Sequence, residues 1–234
     1  MSKKGSQIRY LNFPIQMLGG FLLDSKGVLD DIMDYSVYAH SVDNLEFGNE
    51  EEAFSSSAKY FGIKFGNIPE SIKNGEAFYD SLGSGNPMVG IDVKMVFDYY
   101  KNHKTDFQKA CLLGYLAIRS ILMDKAYCKT TNDNWFSRMD GKSSKMPKEK
   151  LSPEIQKFHK EYQAKKIKTE LALSWNLKTY SRHTRGFYVS FKLELEDLVF
   201  HAEKKRKSYQ AKKLKNETEM ARLKALERLK NIDF

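Results

Sequence analysis

The sequence predicts a mainly α protein that carries a small β-hairpin, with a helical region before it and a long basic helix after it. Three observations lead there. Apolar residues recur at helical spacing through most of the chain, whereas NLKTYSRHTRGFYVSFKLELEDL alternates strand formers around a turn, and after Gly186 neither Gly nor Pro occurs again before the last residue, Phe234. With 234 residues and 41% hydrophobic content, the chain can bury one sizeable core or two small ones.

Residues 1–7 read as a polar lead-in. Between 13 and 42 the pattern gives two helices, 14–23 and 28–39, split by Gly19-Gly20 and Gly27. An acidic link at 43–52 follows. In 53–80, Ala58, Gly62 and Ile68 have the offsets of a helix-turn-helix, and the same spacing suits an ordinary helical hairpin inside a core. Ser81-Leu-Gly-Ser-Gly-Asn-Pro87 is a loop, and 92–100 one more helix with Val93, Val96, Phe97 and Tyr100 inward.

The second half opens with a strong helix over 107–123, whose Cys111, Leu112, Leu116 and Ile118 share a wide apolar face. A short helix follows, with Thr130, Thr131 or Asn132 as its N-cap and Gly141 as its stop. The connector 142–153, rich in Lys and Pro, reads as a mobile basic insertion. Next come the amphipathic run KKIKTELALSW, with Ile167, Leu171 and Leu173 toward the core, and the hairpin with its tip at Arg182, His183, Arg185 and Gly186. The terminal helix begins near Leu195; its first turns are apolar enough to pack, and the rest should project into solvent as a basic helix or pair with a second copy through its sparse Leu series.

Charge is divided unevenly. Residues 1–105 hold 10 Lys/Arg against 14 Asp/Glu, a net of −4, and residues 106–234 hold 29 against 16, a net of +13. A basic half implies an anionic partner, of which nucleic acid is the commonest, while the acidic half suits a protein partner. No apolar run approaches the ~20 residues of a membrane span, so no membrane role is expected. Cys111 and Cys128 read as reduced thiols of a cytoplasmic protein.

In order, the second half gives helix, helix, connector, helix and hairpin, which resembles the winged helix-turn-helix family of DNA-binding domains. The resemblance covers about 105–200 and divides the chain into an acidic helical domain (1–104), a winged-helix domain (105–200) and a basic helical tail (201–234). It departs from the family in its long connector. It implies that Lys160, Gln163, Lys166, Lys168 and Thr169 face the major groove of double-stranded DNA, that Arg182, His183 and Arg185 reach the minor groove, and that Lys129, Thr131 and Asn132 hold phosphates. With a second helix-turn-helix at 53–80, the whole loosely resembles plasmid and phage replication initiators with tandem winged helices, making replication initiation or transcriptional regulation of a mobile element the expected role.

Catalytic chemistry has little to stand on. The five histidines are isolated from one another, so no metal site is expected, and neither a phosphate-binding loop nor a Gly-x-Ser-x-Gly nucleophile motif is present, so no cofactor is expected. Arg182, His183 and Arg185 upstream of Tyr209 approach the set used by tyrosine recombinases, but the His-x-Arg spacing is one residue short and no earlier Arg–Lys pair completes it. The chain is therefore read as non-enzymatic, with an interaction or structural protein that binds protein or RNA as the alternative.

Overall fold

A computed structural model of the protein describes residues 8–43, 49–82, 85–182 and 186–230. It is mainly helical with two small antiparallel sheets. The first sheet pairs β1 (Tyr10–Pro14) with β2 (Met88–Asp92), Tyr10 opposite Asp92. Leu11 and Phe13 from β1 and Val89 and Ile91 from β2 point into the core, as the two-residue period of a half-buried strand requires.

Neither strand was expected, and the helix expected at 14–23 does not form. Pro14 ends β1, Ile15–Leu18 makes one 3₁₀ turn, and Gly19 and Gly20 close it. The Ile15 N–H donates to the Pro87 carbonyl at 2.8 Å, which ties this turn to the segment leading into β2.

Three helices follow: α1 (Ser25–Asp43), α2 (Glu50–Phe61) and α3 (Ile68–Leu82). Asn49 caps α2 by accepting from the Glu52 N–H at 2.7 Å, and Gly62, at φ +74°, ends it in the left-handed conformation. Both α2 and α3 pack on α1, in which Ile32 to Tyr38 are all buried. Gly75, a weak residue by helix propensity, is where α3 comes closest to α1. A Cβ there would meet Tyr38 Cβ at 2.6 Å and the Asp34 carbonyl oxygen at 2.7 Å. After β2, Asp92 caps α4 (Val93–Lys101).

The second half begins with α5 (Asp106–Leu122), whose N-terminus is a capping box between Thr105 and Gln108. Then come β3 (Cys128–Thr130), α6 (Asn132–Met139), a one-turn α7 (Pro153–Gln156), α8 (Glu161–Trp175), β4 (Lys178–Tyr180), β5 (Phe187–Ser190) and α9 (Leu195–Lys230). The second sheet has the order β3-β5-β4. It is the hairpin β4–β5 extended by a third strand, β3, on the β5 side. Packing crosses the boundary expected at 104/105, because α5 lies against β2 and one hydrophobic cluster includes Phe13, Ile91, Leu112 and Trp135.

The connector 142–153 is docked, contrary to the mobile insertion expected. Asp140 accepts from the Ser152 N–H at 3.0 Å and from its hydroxyl, Ser137 Oγ accepts from the Met146 N–H at 2.8 Å, and Leu151 and Ile155 are buried. Its lysines face solvent, together with Ser143, Ser144, Pro147, Glu149 and Pro153. In α9, Leu198 and Ala202 are buried against the sheet, and from Lys207 to Lys224 every residue is exposed.

Candidate nucleic-acid interface

The hub of the second half is Trp135 on α6. It is fully buried, and its Nε1–H donates to the Gly114 carbonyl of α5 at 3.0 Å, which satisfies the one polar atom of the indole. Around it α5, α6 and α8 pack, with Ala164, Ile167 and Leu171 of α8 buried. Leu173, expected to face the core, is 79% exposed. Two residues past Leu171 is about 200° around the helix, so the inward stripe continues instead to half-buried Trp175, whose ring stacks on Tyr115 at 5.4 Å.

The outer face of α8 carries Tyr162, Lys165, Lys166, Thr169 and Leu173, all exposed and spaced as one helical stripe. Lys160 stands exposed at its N-cap, and Gln163 is half-buried at the edge of the stripe. Lys166 Nζ lies 4.6 Å from the centre of the Phe107 ring. The Thr169 hydroxyl donates back to the Lys165 carbonyl at 3.1 Å. Among the described residues no carboxylate lies within 4 Å of Lys160, Lys165 or Lys166 Nζ, so these cations remain available to an anionic ligand.

Lys168 is different. Its ammonium turns inward, donating to Asn132 Oδ1 at 3.0 Å and sitting 3.5 Å from the centre of Phe187 and 5.3 Å from that of Trp135. Burial lowers its pKa to about 8, because the charged form loses its water. Lys168 and Asn132, both expected to touch DNA, thus join α8 to the start of α6. Thr131 is likewise engaged, capping α6 by accepting from the Asn134 N–H at 3.2 Å.

The remaining expected residues gather elsewhere. Lys129 of β3 and Arg182, just past β4, line a groove of about 890 Å³ between the sheet and α9. Arg182 is paired there with Glu203 of α9 at 3.3 Å, as is Arg206 at 2.8 Å, and the Tyr180 hydroxyl donates to the same carboxylate at 2.8 Å. These donors hold the Glu203 carboxyl below its ordinary range, the Tyr180 hydrogen bond contributing most. His183 and Arg185 lie outside the described residues.

Sequence reasoning missed Tyr162 and Lys165 on α8, and Tyr127, Tyr188, His201, Lys205 and Lys212 along the groove; it weighed Tyr209 only as a nucleophile beside Arg182. The α8 pair was legible in the helical period. The groove was not, since it needs the pairing of β3 with β5, whose partners Lys129 and Tyr188 are far apart in the chain.

Among the described residues no three His, Cys, Asp or Glu side chains are grouped to hold a metal, and no helix is long and apolar enough to cross a membrane. In comparisons with family models, curated proteins and solved structures, nothing matches the chain.

Proposed function

We propose that the protein binds double-stranded DNA, with α8 in the major groove and the β4–β5 hairpin beside it as a wing, and that it acts as a replication initiator or transcriptional regulator of a mobile element or phage. The observation that carries this reading is the outer face of α8, where Lys165 and Lys166, with Lys160 at the helix start, have no acidic partner among the described residues. The order α5, β3, α6, α7, α8, β4, β5 supports it, because α8 leads into a hairpin built on the same core. Thr169 offers a hydroxyl to base edges between cations that meet phosphates.

One observation favours a second reading, a protein-binding surface: Tyr162 and Leu173 on the same face are 73% and 79% exposed. Titration of the full chain with duplex DNA at two salt concentrations separates the two. Under the DNA reading, Lys165→Ala/Lys166→Ala weakens binding on any sequence and lowers the salt slope by about two. Unchanged affinity and slope would sink it in favour of the protein surface.

A further inference from the structure

Lys129, Tyr188 and Tyr180 are directly paired across the three strands of the second sheet, so their side chains form one row on the face opposite Phe187 and Val189, which enter the core. Facing the row, α9 presents His201, Lys205, Tyr209 and Lys212 at steps of four, four and three residues, a single helical stripe that lines the same groove. The lining therefore alternates rings and ammonium groups.

We infer that this groove binds single-stranded nucleic acid, with bases stacking on Tyr188 and Tyr209 and phosphates meeting Lys129, Lys205 and Lys212. The wall already holds a planar heterocycle in the required manner: the His201 ring lies on Tyr127 at 5.0 Å, with 18° between the planes. Two of its lysines rest on rings. Lys129 Nζ is 5.9 Å from the centre of Tyr188 and Lys205 Nζ is 4.7 Å from that of Tyr127, and neither has a carboxylate within 4 Å among the described residues. A short rotation would exchange a ring for a phosphate.

Among the described residues of the lining the one carboxylate is Glu203, which Arg182 and Arg206 neutralise, so it does not repel a polyanion. Rings and cations in alternation bind unpaired bases without regard to sequence, because every base has a π-face. A duplex keeps its bases stacked on one another, where a tyrosine cannot reach them. The ligand is a strand in preference to a mononucleotide, because the stripe of α9 continues past the groove to the exposed Lys215, three residues beyond Lys212. The site uses none of the outer face of α8, so it stands or falls separately from duplex binding there.

The test is fluorescence anisotropy of the full chain with labelled oligodeoxyuridylate and oligouridylate of about ten nucleotides, which differ only in the sugar. Tyr188→Ala and Tyr209→Ala are each compared with the Phe variant at the same position. Tyr209 is 71% exposed, so its truncation leaves the fold intact. Each Ala variant should lose roughly ten-fold in affinity and each Phe variant should keep it, since the ring does the stacking. Lys165→Ala/Lys166→Ala should leave strand binding unchanged. Tighter binding of one oligonucleotide would identify the sugar the groove accepts. Equal affinity of Tyr209→Ala and the parent chain, or displacement of the strand by an equal concentration of duplex, would overturn the assignment.

Discussion

The two sheets bury the same chemistry and expose different chemistry. In the first, Leu11, Phe13, Val89 and Ile91 turn inward, while the outward residues Tyr10, Asn12, Met88, Gly90 and Asp92 include no cation. In the second, Phe187 and Val189 turn inward, and the outward row is Lys129, Tyr188 and Tyr180, with α9 laid over it. Inward faces hold each half together by the same apolar burial. Only the outward row tells a sheet that closes a core from one that can also take a ligand.

The largest expected effect separates the two roles. Phe13→Ala should cost about 3–5 kcal/mol in urea denaturation while leaving oligonucleotide affinity at its parent value in the folded protein. A cost below about 1 kcal/mol would mean that the first sheet does not close the core. Next is the seam between the halves. Gly141 has φ +69°, and a Cβ there would meet Gly19 N at 2.7 Å and the Gln16 carbonyl oxygen at 2.9 Å. Gly141→Ala should therefore cost about 2–3 kcal/mol, read as a lowered Tm.

Charge buried in each half gives two smaller effects of opposite pH dependence. Desolvation raises Asp34 on α1 to about 6 from 3.8, against hydrogen bonds from Ser71 and Asn74. The folded protein then holds this proton more tightly than the unfolded chain, so ionisation opposes folding. The cost is absent below about pH 4, grows toward pH 6 and is full above it, reaching no more than about 2 kcal/mol once solvent screening is allowed for. Asp34→Asn should flatten stability across that window.

For Lys168, whose pKa is lowered to about 8 from 10.5, the charged form opposes folding. Its cost is full below pH 8 and relieved as the pH rises toward 10.5. Lys168→Met should remove this alkaline rise and change stability by about 1 kcal/mol or less. The smallest effect belongs to α9, where Leu223→Ala should shift stability by under about 0.5 kcal/mol. A Tm that rises with protein concentration, and loses that rise in Leu223→Ala, would show instead that the helix pairs with a second copy.

Elements set by local chemistry were readable from the sequence: α5 from its apolar stripe, α6 from Thr131 and Gly141, and the α9 segment from its lack of helix breakers. Elements set by partners were not. Tyr10 to Phe13 alternates as a strand should, yet four residues of alternation carry little weight until Val89 and Ile91 arrive opposite them. The same limit applied at the site. Lys168 looks like any helix lysine until Phe187 and Trp135 enclose it, and Tyr127 and His201 acquire a shared role only when the sheet and α9 meet.

The pairing of Tyr10 with Asp92 also sets an order of events. During synthesis β1 emerges long before its partner, and its Leu11 and Phe13 must wait while α1, α2 and α3 are made. Those helices can form from local contacts as they leave the ribosome, but β1 has no hydrogen-bonding partner until β2 follows. A nascent chain stalled before Met88 would therefore offer an unpaired apolar strand, open to chaperones and proteases, and one extended past Asp92 and clear of the exit tunnel would not.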